Sequence, residues 1–388
     1  MKYGLLYYKD TDNIGDDIQS YAQARFLPRI DYFIDRENIG NFVPDKKEFV
    51  ATIMNAWYQH DKFSFFFSPY IYPKFISMHF TKLPYDHLLS NSGMNYFDET
   101  VISYLKKFGP VGVRDDYTKQ LFDDLKIENY FSGCMTLTLE KFPNVKREDY
   151  ICAVSLNQDE IDRIKKLTNR EVKVIDQDVE RGTFSNESWD ERKKRVEDLL
   201  LTYQKAHMVI TRKLHCALPC LSLETPVLLL YESRYEDRIG TFREYVNHVN
   251  REDFLNCDID IENPLENPNG YKKLRNKLIK SCEKFIKQAE ESNLDIESLP
   301  DPSFYKEFSI SRQRRIKVVE KFLKSSNQLY IEASAHRDYY HSRLAEVEKE
   351  LYELKQENDK LKKANENFIN NIFYKTTKKV KKTLHIKD

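Results

Sequence analysis

Between residues 150 and 231, short apolar runs alternate with text of helical period, and this alternation restricts the possible folds more than any other feature of the chain. Residues 150–156 read as a strand, 158–167 as a helix, 172–176 as a strand and 189–205 as an amphipathic helix. Strands at 207–211 and 226–231 then flank a helix at 216–223. Strands joined through helices at this spacing mean βαβ units and a parallel sheet. The earlier part of the chain has the same rhythm. Candidate strands lie at 3–8, 32–35, 51–57, 112–114 and 130–132, with candidate helices at 18–27, 100–108 and 116–125. Residues 58–89, aromatic and punctuated by proline, read as loops and short elements over a sheet edge, and charge and proline at 141–149 mark a break. The expected fold class is therefore α/β: two Rossmann-like lobes, 1–145 and 146–312, with a cleft between them. A long helix at 271–291 packs on the second lobe or returns to the first.

From about Tyr340 the text is highly charged and carries a stripe of Leu344, Val347, Leu351, Leu354, Asn358, Leu361, Asn365 and Phe368. Steps of three and four residues alternate, the signature of a coiled coil, and a polar residue in the seam acts as a register device in dimers. Residues 313–388 are thus expected to form a helical coiled-coil tail, most simply as a homodimer. Beyond the stripe, Lys375, Lys378, Lys379, Lys381, Lys382 and Lys387 interleave with Phe373, Tyr374, Val380, Leu384 and Ile386. Such a basic amphipathic end suits peripheral contact with an anionic membrane surface.

With 62 basic and 62 acidic side chains, no net field points to nucleic acid. No run approaches the roughly 20 apolar residues of a spanning helix. The opening MKYGLLYYK is too short for a secretory h-region, so the expected location is cytoplasmic. The six cysteines are irregularly spaced in apolar text and read as reduced core residues. Cys216 and Cys220 stand four apart but lack a second ligand pair, so no metal is expected. Walker A, GxGxxG and HExxH patterns are absent, which disfavours nucleotide hydrolysis, dinucleotide binding and metalloprotease chemistry.

Loops that leave a strand's carboxyl end and open a helix face the ligand crevice of such sheets. Thr211-Arg212-Lys213-Leu214-His215 is such a loop, with two cations and an imidazole at a helix N-terminus that itself favours anions. An imidazole there has basicity suited to proton transfer near neutral pH. The first loop offers Asn13 and Asp16 to hydroxyls, and Gly15 permits a ligand to approach the backbone closely. Asp16 or Asp17 alternatively caps the following helix. Arg114 ends a strand, where a guanidinium can grip phosphate or carboxylate, or else pair with Asp115 or Asp116. Ser132-Gly133-Cys134 repeats that arrangement one strand later.

Three pieces in order resemble the polysaccharide pyruvyl transferase family: Asn13-Ile14-Gly15-Asp16; Val111-Gly112-Val113-Arg114-Asp115 running on to Phe131-Ser132-Gly133-Cys134-Met135-Thr136-Leu137-Thr138-Leu139; and Val209-Ile210-Thr211-Arg212-Lys213-Leu214-His215-Cys216-Ala217-Leu218-Pro219. The resemblance spans roughly residues 1–250. It implies a GT-B-like fold and a metal-free, cofactor-free reaction with phosphoenolpyruvate as donor substrate. An enolpyruvyl unit would pass to two hydroxyls of a sugar in a surface-polysaccharide precursor, giving a cyclic ketal and phosphate. By that likeness His215 is the general acid, Lys213, Arg212, Arg114 and Gly133 hold the donor, and Asn13, Gly15 and Asp16 face the sugar or lipid-linked glycan acceptor. Lys213 stands where many relatives have arginine. Two other functions fit the same text: a GT-B-type glycosyltransferase using a nucleotide sugar, and a non-catalytic coiled-coil assembly protein.

Overall fold

The structure is a computed structural model that describes residues 1–58, 66–80, 97, 99–180, 182–232 and 239–383. The chain divides into two units, Met1–Arg314 and Arg315–Asp388.

In the first unit, β1 (Lys2–Tyr7), β2 (Tyr32–Asp35), β3 (Val50–Met54) and β5 (Ile71–Phe75) form an all-parallel sheet in the order β2-β1-β3-β5. Short parallel pairs flank it: β4 (Trp57–Tyr58) with β6 (His79–Phe80), and β7 (Val111–Val113) with β8 (Asn129–Phe131). A second all-parallel sheet has the order β10-β9-β11-β12-β13, from β9 (Tyr150–Val154), β10 (Glu171–Ile175), β11 (Met208–Thr211), β12 (Val227–Tyr231) and β13 (His248–Asn250). The helices are α1 (Ile14–Ala24), α2 (Glu99–Lys107), α3 (Asp116–Asp124), α4 (Gln158–Leu167), α5 (Trp189–Lys205), α6 (Leu214–Ser222), α7 (Arg251–Asn256), α8 (Tyr271–Glu291) and α9 (Pro302–Thr383).

Parallel strands are covered on both faces, which explains their near-continuous apolar text. Every residue of β3, β9 and β11 is buried. The period of two then sorts side chains between cores. Cys152 and Val154, Val209, and Val227 and Leu229 point into a core shared with Tyr3, Leu5, Ala51 and Ile53 of the other sheet. Their neighbours Ile151, Ala153, Ile210, Leu228 and Leu230 form a separate cluster on the opposite face. The edge strands differ: β10 exposes Glu171 and Val174, and Pro73 sits in edge strand β5, where a missing N–H breaks no ladder.

Within residues 58–89, read as loops and short elements, β5 is a strand of the four-stranded sheet and β6 pairs with β4; residues 59–65 and 81–89 of that stretch are outside the described residues. One expectation needs correction. The first helix starts at Ile14 rather than residue 18, capped by neither Asp16 nor Asp17 but by Asn13, whose Oδ1 accepts from the Gly15 N–H at 2.7 Å. Gly15-Asp16-Asp17 interrupts the apolar period, although Ile14 and Ile18 share the buried face.

Helix α8 serves both sheets. Its Tyr271 hydroxyl donates to the Leu221 carbonyl at 2.7 Å, and Phe285 stacks on Tyr72 of β5. A buried clamp joins α1 to α5. Arg192 donates to the carbonyls of Tyr8, Lys9 and Phe184 and to Asp17, which also accepts from Arg195. Burial pushes the Asp17 carboxyl up, against the pull of these two arginines. Five of the six cysteines are buried as expected, but Cys257 is exposed.

Helix α9 is continuous over 82 residues. Its first turns belong to the first unit, where Tyr305 donates to the Gly40 carbonyl at 2.8 Å. Among the described residues, no helix is long and apolar enough to cross a membrane. The side chains of Asn365, Phe368, Phe373, Tyr374, Val380, Lys381 and Lys382, and residues Leu384, Ile386 and Lys387 altogether, lie outside the described part.

Candidate active site

A cleft of about 570 Å³ opens where strand carboxyl ends converge. Its walls come from the loops after β1 (Tyr8, Asn13, Asp16), β2 (Arg36), β7 (Arg114), β9 (Ser155, Asn157), β10 (Asp176, Gln177, Asp178) and β11 (Arg212, Lys213, His215), together with Trp57. This is the crevice side that open parallel sheets use for ligands. Loop-to-loop bonds close one rim: Ile14 N–H donates to the Gln177 carbonyl at 2.9 Å and Val179 N–H to that of Asp12 at 2.8 Å.

His215 is half-buried at the start of α6, with φ −79° and ψ 17°, outside helical geometry. Its Nε2 lies 3.2 Å from Nη1 of Arg114. A guanidinium only donates. A hydrogen bond between the two therefore has Nε2 accepting, in the tautomer that carries its proton on Nδ1. Gln177 fixes the same turn by donating to the His215 carbonyl at 3.3 Å. Arg114 is only 3% exposed, and its other side-chain bond is to Gln19 Oε1 at 3.2 Å. Among the described residues Arg114 has no carboxylate in ion-pair contact; Asp115, its expected rival partner, turns to the buried ring of His79 instead. Asp115 also caps α3 by accepting from Thr118 N–H. Burial alone would raise its carboxyl, yet His79 and Arg114 hold it below the ordinary range.

The remaining cleft cations are differently committed. Lys213 Nζ contacts Asp178 Oδ1 at 2.7 Å. Arg212 bonds Glu232 at 2.7 Å, Glu160 at 3.1 Å and Asn157 at 3.2 Å, tying the loop after β11 to α4 and to the end of β12. Arg36 is buried and bonds Asp16 and Glu37; burial opposes its charge, but those two carboxylates hold its pKa above the ordinary value. Asp16 also accepts from Thr11 at 2.8 Å, while Asn13 donates to Asp178 at 3.1 Å.

His215, Arg114, Lys213, Arg212, Asn13 and Asp16 thus share one cleft. The two glycines do not line it. A Cβ on Gly15 would lie 2.9 Å from His215 Cβ and 3.1 Å from its Nδ1, so what approaches this backbone is the imidazole rather than a ligand. Gly133 has φ +79° and packs under Leu274, where a Cβ would come within 2.5 Å, so the position makes a turn that requires glycine. Gln19, Arg36, Trp57, Gln177 and Asp178 were not singled out from the sequence. The strand-end rule that found His215 reaches Arg36, after β2, and Gln177 and Asp178, after β10. Gln19 lies one helical turn beyond Asp16 and bonds it at 3.4 Å.

Fold and cleft together define an α/β protein with its candidate site at the carboxyl ends of parallel strands. Residues 13–234, more than half of the chain, match the family model for polysaccharide pyruvyl transferase, and the chain belongs to that family. No curated protein matches it. Among solved structures, it is similar to the crystal structure of a functional uncharacterized protein from Klebsiella pneumoniae subsp. pneumoniae NTUH-K2044, with 12% identity over 64% of this chain and 92% of that one and a TM-score of 0.38.

Proposed function

We propose that this chain transfers an enolpyruvyl unit from phosphoenolpyruvate to two hydroxyls of a sugar in a surface-polysaccharide precursor, without a cofactor. The two parallel sheets are then two Rossmann-like lobes in a GT-B-like arrangement, 1–145 and 146–312, and the acceptor is a free or lipid-linked glycan at the cytoplasmic side of the membrane.

One observation supports this most: a buried guanidinium with no carboxylate in ion-pair contact among the described residues, 3.2 Å from an imidazole that faces a cleft. Phosphoenolpyruvate carries about three negative charges, and its site requires cations placed for bidentate contact. A hydrogen bond from Arg114 to Nε2 favours the neutral ring. An anion that engages Arg114 replaces the positive neighbour of Nε2 with a negative one and favours the imidazolium. His215 can then give its proton to the methylene carbon as a sugar hydroxyl attacks the adjacent carbon. The second hydroxyl displaces phosphate and closes the ketal, and the protons lost by the hydroxyls return to the ring and leave with phosphate. Lys213 contributes a second, point-like charge once Asp178 releases it.

A thermal-shift titration tests the donor. Phosphoenolpyruvate at about 100 times its dissociation constant should stabilise the wild type by about 2.7 kcal/mol. Arg114→Gln should lose that response, and His215→Ala should keep binding while turnover falls about 10²–10⁴-fold. Stabilisation by uridine or guanosine nucleotide sugars with none by phosphoenolpyruvate would overturn the proposal in favour of glycosyl transfer.

A further inference from the structure

Between His341 and Lys363 every residue of α9 is exposed, including Leu344, Val347, Leu351, Leu354 and Leu361 at 46–64%. Helices in water draw most of their stability from packing an apolar face, and this stripe is left largely uncovered by the described residues. With Leu344, Leu351 and Asn358 at heptad position a, and Val347, Leu354 and Leu361 at d, the flanking positions follow. The g residues are Arg343, Glu350 and Glu357, and the e residues are Glu348, Lys355 and Lys362.

We infer that this segment pairs with a second copy of the same chain as a parallel, in-register coiled coil. In that arrangement each g residue meets the e residue five places further along the other helix. Arg343 then faces Glu348 of the partner subunit, Glu350 faces Lys355 of the partner subunit, and Glu357 faces Lys362 of the partner subunit. All three pairs are opposite in charge, and symmetry repeats each. Asn358 meets Asn358 of the partner subunit in one a layer, where two amides satisfy each other, whereas a stagger of one heptad sets one copy's Asn358 against a leucine. Antiparallel pairing that keeps the seam aligned sets Glu350 against Glu357 of the partner subunit and Asn358 against Val347 of the partner subunit. The charge pattern therefore selects partner, direction and register at once.

The full-length chain should sediment as a dimer. Glu350→Lys/Glu357→Lys makes two g positions repel e positions, and Lys355→Glu/Lys362→Glu does the reverse. Each double variant alone should raise the dimer dissociation constant about a hundredfold. Mixing the two should restore dimers, now heterodimers, because both sets of pairs become opposite in charge again. In a Cys257→Ser background, Asn358→Cys should oxidise to an interchain disulfide, since only the in-register parallel arrangement brings position 358 to its own copy. Unchanged thermal unfolding of the Met1–Arg314 body would confirm that the variants act through the tail. A monomeric wild type, homodimers indifferent to either charge variant, or failure of the 358 crosslink would each refute the inference.

Discussion

Replacing Gly15 by alanine probes the packing that holds His215. The new methyl would sit 2.8 Å from Asn13 Oδ1, 2.9 Å from His215 Cβ and 3.1 Å from His215 Nδ1. Contacts of this kind normally relax to about 3.5–4.0 Å, so something must yield by more than half an ångström. Asn13 can swing away only by giving up its cap on α1 and its bond to Asp178. His215 Cβ is fixed to the first turn of α6, so relief on that side moves the helix start itself. Overpacking costs about 1–3 kcal/mol and a lost cap about 1 kcal/mol. We expect a net loss of about 2–3 kcal/mol, or a fall in Tm of about 4–6 °C at about 2 °C per kcal/mol for a body this large. Displacing the ring also lengthens its contact with Arg114; misplacement by 1 Å costs about 10²-fold in rate, so a shift of half that should cost about tenfold. Circular-dichroism melts and phosphate release from phosphoenolpyruvate measure the two effects. Gly270→Ala is the control, because there the nearest atom is an ordinary 3.5 Å away in Tyr245. Equal Tm and equal rate for the two variants would refute the packing role assigned to Gly15.

Three further outcomes follow from other parts of the molecule. Asp115 has a folded-state pKa below its ordinary 3.8, so its stabilisation is complete above that value and disappears as pH falls through the folded one. The gap between wild type and Asp115→Asn in urea melts should be about 1–3 kcal/mol near pH 7 and close only below about pH 3.8; a gap that never changes down to pH 3 would contradict this. Arg192→Ala removes four bonds and leaves Asp17 buried with Arg195 alone, which should cost about 3–5 kcal/mol, seen as a lower denaturant midpoint. An unchanged midpoint would sink the clamp between α1 and α5. Removing residues 370–388 should abolish co-sedimentation with vesicles rich in anionic lipid, each lysine near such a surface contributing about 1 kcal/mol; retained binding would eliminate the basic end as an anchor.

Periodicity is local, and it was enough to place most of the fold. Runs such as 150–156 and 207–211 must be strands covered on both faces, because no other packing buries so continuous an apolar text. The imidazole loop was legible for a related reason, since any loop leaving such a strand toward a helix opens on the crevice side. Edge strand β5 escaped notice because proline and aromatic residues obscure its period, and the start of α1 because Gly15-Asp16-Asp17 interrupts one.

What each charged side chain of the site does was decided only by the tertiary structure. Arg212 and Lys213 are adjacent in sequence, yet one is held by Glu160 of α4 and by Glu232 and the other by Asp178, all distant along the chain. Arg114 alone among the cleft's arginines has no carboxylate in contact among the described residues, and its place against His215 joins positions 101 residues apart. Nothing in the local text could announce that Gly15 lies beneath that ring while Gly133 packs under Leu274. Strand and helix follow from the chemistry of near neighbours along the chain, whereas the charge state and freedom of a side chain depend on whichever groups folding brings within a few ångströms of it.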